Sequence, residues 1–573
     1  MAETRPLLSR FQQWIDEFRG RENQMTMVLA VGVGVLVGLV TVAFVLVTGR
    51  LAARMYPAGG AGWRRLLVPT LGSLFTGFLL AKYFPFARGS GIPQAKFALM
   101  VNDGYIRFRT VAGKLLCCSI SLASGIALGR EGPSVQVGAG IASVLGRNLG
   151  LSRKQVKALL PVGCAAALAA AFNTPVAAVI FTLEEIMGDM HAGVLGTAAL
   201  GSAASWMVLH YFLGDNPLFH VPSYQLVHNT ELIVYSVLGV IGGLGSVAFV
   251  KLLLWLRERF RHLPRRTVWL QPTVGGLTVG VMGYFLPNVM GVGYDFVDRV
   301  LNGDAILQTV AILCVLKIIA TATSYASGNA GGIFGPSLFI GAMMGAVTGG
   351  VAHALFPGST AGPGAYALVG MGTAFAGILR TPFTSVLMIF ELTRDYTIIV
   401  PLMISNTIAY LISEKFQHLP IYEALAKQDG IHMPDPHSKT RLGEAVTVMR
   451  TPPVVLPVNS KAADAMAQVK DSHFDAWPVG DDGRFQGMVR HADLARALSL
   501  ENQSATLHEL IEGPETFPHA HADHPLPAVL ERMGSSGLNV LPVLGRANLH
   551  ELLGIIVLDD VLKAYGFPAR ETK

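Results

Sequence analysis

With 573 residues, 51% of them hydrophobic and only 14% charged, and a mean hydropathy of +0.47, the chain is too apolar for an ordinary soluble globular protein and belongs in a bilayer. Its net charge of +6 does not signal nucleic acid. The basic residues scatter at segment ends, among them Arg50, Arg64, Arg65, Arg265 and Arg266, as loop topology in a membrane explains.

Residues 1–24 are polar and mixed in charge, and are expected to form a cytoplasmic N-terminal segment. The uncharged run from Met25 to Val47 exceeds the roughly 7–15 apolar residues of a signal-peptide core, so no cleaved signal is predicted. It is long enough for a hydrocarbon layer of about 30 Å. Apolar segments continue to about Ile412, many of them short and broken by Gly-Pro or Thr-Pro. That pattern predicts tilted and discontinuous helices instead of uniform spans. The 63 glycines suit both close helix packing and broken helices. Cys117, Cys118, Cys164 and Cys314 lie in apolar segments with no metal or disulfide pattern, and read as buried free thiols.

The first glycine motif is Gly89-Ser90-Gly91-Ile92-Pro93. Its glycines bare the backbone and Pro93 suits a helix's first turn. Free N–H groups, the helix dipole and the Ser90 hydroxyl are then able to hold an anion. The second motif, Gly129-Arg130-Glu131-Gly132-Pro133, sets a charged pair between the apolar runs Leu115 to Leu128 and Val135 to Val144. A charge at such a depth costs roughly 2.5–3.5 kcal/mol, which a carboxylate avoids by protonating or by occupying an anion site. Glu131 is therefore a candidate gate. The alternative is that Arg130 and Glu131 pair with each other or with other residues to close a helix break.

The membrane part is duplicated. Ser124-Gly125 answers to Ser327-Gly328, Gly129 to Gly332, Gly132-Pro133-Ser134 to Gly335-Pro336-Ser337 and Gly138 to Gly341, all at a shift of 203 (336 minus 133). A second block at a shift of 207 relates Gly163 to Gly370, Thr174-Pro175 to Thr381-Pro382 and Glu184 to Glu391. Matching Gly/Pro interruptions predict an antiparallel pair of halves, about 25–215 and 230–428, with the substrate site where half-helix ends meet. Gly331-Gly332-Ile333-Phe334-Gly335-Pro336 occupies the place of the second motif without a charge, offering backbone donors where the first half offers an acid. Glu184 and Glu185 end the run Ala177 to Leu183 and read as an interfacial pair, Glu391 as a structural carboxylate, and Tyr422 as an aromatic-belt residue.

After a linker over 429–447, the polar tail 448–573 repeats as well. Trp477-Pro478-Val479, Gly487-Met488-Val489 and Asp493 match Leu541-Pro542-Val543, Gly554-Ile555-Ile556 and Asp560, which implies two small α/β units, about 448–500 and 507–573.

Through Gly89 to Pro93, Gly129 to Pro133 and Gly331 to Pro336, joined by Phe172-Asn173-Thr174-Pro175 and Leu419-Pro420-Ile421-Tyr422, the chain resembles the CLC family of chloride channels and chloride/proton exchangers over about Met25 to Leu425. The resemblance implies an all-α, multi-pass, inverted-repeat fold in the cell (inner) membrane and a homodimer with one pore per subunit. The contact would involve helices near Ala177 to Met187 and Pro382 to Leu392. It further implies a central anion held by the Ser90 and Tyr422 hydroxyls with the N–H groups of Ile333 and Phe334, Gly89, Gly129 and Arg130 completing the anion-binding set. Glu131 would close the outer side. Serine at position 90 looks like the chloride-preferring form. Glu185 aligns with the acid that relays protons from the cytoplasmic side in exchangers, which favours antiport over a passive voltage- or pH-gated channel.

The tail resembles a pair of cytoplasmic CBS domains. Asp493 and Asp560 stand where a ribose-binding aspartate is usual, while Arg490 and Val557 replace the Thr or Ser common three residues before. No cofactor is expected beyond an adenine nucleotide whose pattern is incomplete, and the other reading is a ligand-free dimerisation module. A membrane enzyme or sensor lacks residues to act with: the chain has no HExxH, no GxSxG with triad partners and no Walker loop. Chloride, protons, the lipid bilayer and a second copy of the chain are the expected partners, and nucleic acid is not.

Overall fold

The structure, a computed structural model, describes residues 22–431 and 444–565, apart from residues 58, 191–192, 216–217, 220, 222–226, 453, 471, 473, 482 and 500–504. The N-terminal segment and the linker expected from the sequence fall mostly outside the described residues. The chain divides into two compact units, Met1–Met433 and Pro434–Lys573.

In the first unit α1 is Glu22–Met55, α2 Gly62–Lys82, α3 Ile92–Met100, α4 Phe108–Ala123, α5 Glu131–Asn148, α6 Arg153–Phe172, α7 Pro175–Phe181 and α8 Leu195–Leu213. The second half runs through the same order: α9 Glu231–Arg261, α10 Gln271–Phe285, α11 Tyr294–Leu301, α12 Leu307–Ala326, α13 Phe334–Leu355, α14 Pro363–Leu379, α15 Pro382–Thr393 and α16 Ile399–Phe416. A closing helix, α17, spans Ile421–Gln428. Among the described residues five helices are long and apolar enough to cross a membrane, while α14 and α15 are shorter apolar pieces. Prolines at Pro69 in α2 and Pro161 in α6 remove ladder donors from helix interiors, and α7 passes into a π-turn over Thr182–Met187. The helices are thus unequal and interrupted, as the Gly-Pro and Thr-Pro breaks predict.

Glycine sets the packing. A Cβ on Gly138 would lie 2.2 Å from the carbonyl oxygen of Gly163, and one on Gly341 would lie 2.2 Å from that of Gly370. The repeat-related pairs α5/α6 and α13/α14 therefore meet backbone to backbone, which only glycine permits. The halves meet at their second motifs. Gly129 N–H donates to the Gly332 carbonyl and Gly332 N–H to that of Gly129, each at 2.7 Å, in an antiparallel bridge. Equivalent residues that donate reciprocally are related by a local two-fold axis, so the halves are antiparallel at this point. All four cysteines are buried and free.

The second unit contains two small α/β repeats. In the first, α18 (Ala462–Val469) precedes β1 (Ala476–Asp481), β2 (Arg484–Arg490) and α19 (His491–Ser499). In the second, α20 (Leu526–Ser536) precedes β3 (Val540–Leu544), β4 (Leu552–Val557) and α21 (Leu558–Ala564). Both hairpins are antiparallel, with register shifts at the matching places Val479/Gly480 and Val543/Leu544. The repeats interlock: Arg450 exchanges backbone hydrogen bonds with Ile555, and Glu512 with Met488.

Candidate functional site

The three glycine motifs come into direct contact. A Cβ on Gly91 would lie 2.5 Å from the Gly132 carbonyl oxygen, one on Gly132 would lie 2.6 Å from Ser90 Oγ, and one on Gly332 would lie 3.1 Å from the Gly132 nitrogen. Helices α3, α5 and α13 begin at Ile92, Glu131 and Phe334, so three helix N-termini meet with the unpaired N–H groups and positive dipole ends that such termini carry. Gly89 and Gly91 hold φ of 84° and 108°, the left-handed region that glycine adopts freely.

At this junction Ser90, Glu131 and Tyr422 are fully buried. The Tyr422 hydroxyl adjoins Ser90, yet Ser90 Oγ, Tyr422 OH and Glu131 Oε2 have no hydrogen-bond partner among the described residues. A buried polar atom left unmatched costs about 1–3 kcal/mol. The two hydroxyls are donors that lack an acceptor, and Ile333 and Phe334 stand at the start of α13, one of the three helix starts that meet here. Tyr422 thus lies in the interior at the start of α17, not in an aromatic belt.

Some expected donors are already engaged. Ser90 N–H donates to Tyr325 OH at 3.3 Å and Gly91 N–H to Gln94 Oε1 at 2.8 Å. Gly129 N–H serves the bridge to Gly332, and the Gly89 carbonyl accepts from Lys114. Gly129 therefore shapes the site without donating to an anion, and the N–H groups of Ser90 and Gly91 are not free for one. This corrects the expectation of free backbone donors at the first motif.

Glu131 makes no ion pair with Arg130. Its Oε1 accepts a 2.6 Å hydrogen bond from Tyr294 OH, while the Arg130 guanidinium lies 5.9 Å from the centre of the Tyr294 ring. The carboxylate fits because positions 129 and 335 are glycine: a Cβ on Gly129 would lie 2.2 Å from Glu131 Oε2, and one on Gly335 would lie 3.1 Å from it.

Glu185, in the π-turn, is held in a buried cluster that the sequence reading missed. Lys96 Nζ lies 3.3 Å from Glu185 Oε1 and 3.2 Å from Glu423 Oε1, with side-chain exposures of 4% for Lys96, 6% for Glu185 and 20% for Glu423. The less buried Glu423 puts a carboxylate next to Tyr422 in sequence and nearer to water. A lysine five residues after Gly91, inside an apolar helix, was the available signal, since intramembrane charges are expensive.

Two more lysines escaped notice. Lys114 donates to the carbonyls of Ala87 and Gly89, and Lys317 donates to those of Val289 and Gly291. Both are fully buried, and they stand 203 apart (317 minus 114), the shift of the repeat. Lys317 exposes a second copy of the first motif. Gly291-Val292-Gly293-Tyr294 matches Gly89-Ser90-Gly91-Ile92 at a shift of 202 (291 minus 89), with Gly291 and Gly293 at φ of 59° and 89°.

A cavity of about 530 Å³ reaches Gly89 and Tyr325 and is bordered by Arg88, Arg257, Arg261 and Arg265 against the single carboxylate of Asp429. Such a wall concentrates anions. In the second unit the ribose-type aspartates have protein partners: Asp560 lies 3.3 Å from Arg450 and Asp493 lies 3.8 Å from Arg496. Arg490, in place of the usual hydroxyl, reaches Glu512 at 3.1 Å.

Comparison with known proteins follows the two units. Residues 72–414 match the family described as voltage gated chloride channel, and residues 444–500 and 515–566 match the CBS domain. A putative chloride channel protein ClcB-like from Ralstonia nicotianae is 35% identical over 382 residues, covering 65% of this chain and 88% of that protein. An H(+)/Cl(-) exchange transporter ClcA from Vibrio campbellii is 31% identical over 355 residues, 61% of this chain and 76% of its own length. Among solved structures, a slow cyanobacterial Cl-/H+ antiporter aligns with a TM-score of 0.65 at 26% identity over 70% of this chain and 97% of that one. A eukaryotic CLC transporter shares the fold, with a TM-score of 0.62 at 21% identity over 93% of this chain and 97% of that one. Membrane helices broken by paired glycine motifs, two halves joined at those motifs, and matches to family and fold over the same residues place this integral membrane chain in the voltage-gated chloride channel (CLC) family, with a CBS pair at its C-terminal end.

Proposed function

We propose that this chain exchanges chloride for protons across a membrane. Glu131 alternates between taking a proton and displacing chloride from the central site, and Glu185 passes protons to and from the cytoplasmic side. The observation that carries this reading is the convergence of three buried groups with unmatched polar atoms, Ser90, Tyr422 and Glu131, on the junction of three helix starts. Chloride completes the hydroxyls, and the carboxylate competes for the same neighbourhood. The arginine-bordered cavity supplies anions toward Gly89 and Ser90. Relatives named exchange transporters support antiport.

One observation favours a passive chloride channel instead: Glu185 is held by the Lys96 ammonium, and an acid fixed in an ion pair is a poor carrier. Reversal potentials in liposomes across a pH gradient separate the two. Exchange requires a potential that shifts with pH, whereas a potential set by chloride alone would sink it. Fluxes in chloride, nitrate and fluoride test the preference read from Ser90.

The assembly is proposed as a homodimer with one pore per subunit in the cell (inner) membrane, the CBS pair cytoplasmic. Exposed Val176 at the start of α7 and Phe383 at the start of α15 support a contact along those helices. The CBS pair reads as a dimerisation module, its aspartates being engaged with arginines. Calorimetry of the whole protein with ATP and AMP checks this, since saturable heat with either would overturn it.

A further inference from the structure

We propose that Tyr294 is the positioning residue of Glu131, a phenol latch that holds the carboxylate in its docked place. The inference rests on the reading of Glu131 as the gate.

Glu131 is fully buried, and the Tyr294 hydroxyl, at 2.6 Å, gives it its hydrogen bond. Charge-assisted bonds of this length are the strong ones. The phenol is built into place: Gly293, at φ of 89°, starts α11 immediately before it, and a Cβ on Gly293 would lie 2.7 Å from Phe339. The Phe219 ring meets Tyr294 edge-on at 5.5 Å, and Arg130 lies over its face.

The repeat gives this contact its meaning. Tyr294 stands where the first half has Ile92, and Val292 where it has Ser90 (both at 202). Glu131 in turn stands where the second half has Phe334 (334 minus 131 is 203). The copies differ at several of these matched positions, and two of the departures, Glu131 and Tyr294, bond to each other. The first-half loop presents a hydroxyl toward the unmatched cluster, and the second-half loop presents a hydroxyl to the acid. Gly335 keeps the space between them, since a Cβ there would lie 2.7 Å from Tyr294 OH.

A latch slows the departure of the carboxylate. Tyr294→Phe removes the donor with little change of volume, and Gly335→Ala wedges donor and acceptor apart while keeping both. In proteoliposomes each is expected to raise chloride turnover roughly threefold to tenfold and to move more chloride per proton, as loss of a hydrogen bond to a charged group allows. In a Glu131→Gln background Tyr294→Phe is expected to change chloride turnover by less than about 1.5-fold, because the charged acceptor is gone. A change equal in both backgrounds, or a turnover at or below the parent's for both single variants, would overturn the latch. Glu131→Gln alone tests the underlying reading. Coupled proton flux that survives it would overturn the gate itself, whereas loss of proton flux with a silent Tyr294→Phe overturns only the latch.

Discussion

Glu184 and Glu391 each cap the helix that carries the other. Glu391 accepts from the N–H groups of Val176 and Ala177 at 2.9 and 2.7 Å, in the first turn of α7. That helix leads into the π-turn bearing Glu184. Glu184 accepts from the N–H groups of Phe383 and Thr384 at 3.3 and 2.8 Å, in the first turn of α15, and from the Thr384 hydroxyl at 2.6 Å. The second repeat block, which ends each helix on a glutamate, is this exchange written in sequence. The pair is structural, and Glu185 alone of the two neighbouring acids turns to Lys96.

Removing either cap should therefore cost stability in similar amounts. Glu184→Gln and Glu391→Gln are each expected to destabilise the membrane unit by about 1–2 kcal/mol, the range of a lost N-cap or charge-assisted bond. Thermal unfolding in detergent measures this. A cost at one position and none at the other would contradict the reciprocal arrangement.

Lys114→Met and Lys317→Met should both destabilise, by about 2–4 kcal/mol, because each strands one buried and one partly buried carbonyl. Flux should separate them. The Lys114 loop carries Ser90, so its loss should lower chloride turnover more than loss of Lys317 at equal protein. Equal turnovers would argue against distinct duties for the two loops.

Proton flux should depend on both acids that share Lys96. Glu185→Val is expected to abolish it while chloride flux persists. Glu423→Gln should lower it several-fold, with chloride flux kept within about twofold, since Lys96 retains one carboxylate and the uncompensated-charge penalty of about 3–5 kcal/mol is avoided. Unchanged protons per chloride in Glu423→Gln would remove Glu423 from the path.

Acid should loosen the CBS unit before it touches the carboxylate pairs. Burial, with Arg532, His521 and Arg546 nearby, holds His524 below the ordinary imidazole range. The unfolded chain then binds more protons as the pH falls through about 6.5, and stability is lost in that window. Asp523, held low chiefly by its hydrogen bond from Arg546, contributes stability that fades only as the pH falls below about 4. Hydrogen exchange of β3 and β4 in the whole protein should show weaker protection at about pH 5.5 than at about pH 7.5, and His524→Asn should flatten the difference. The same slope in parent and variant would exclude His524.

Much of this was legible because glycine and proline report backbone demands directly. The shift of 203 pairs Gly129 with Gly332 and Gly138 with Gly341, and the shift of 207 pairs Gly163 with Gly370, so the sequence marks the residues of the bridge and of the helix contacts though not which of them touch. Glu131 was visible as an expensive charge. Less visible were partners that lie far away in the chain, Tyr294 for Glu131 and Glu423 for Lys96, because a hydrogen bond between distant segments leaves no spacing to read. The second copy of the first motif was hidden for another reason: its serine is a valine, so backbone geometry survived while side-chain chemistry changed. The occupied N–H groups of Ser90 and Gly91 follow from Tyr325 and Gln94, whose ordinary residue types carry no signal.

The reciprocal bond between Gly129 and Gly332 also fixes how the machine can move. Two hydrogen bonds of 2.7 Å join the halves at the junction itself, with glycine backbones in contact on either side. Tilting one half against the other, as rocking carriers do, would have to break both of these bonds. On the exchange reading proposed above, the cheaper movement at this junction is that of single side chains, Glu131 first among them.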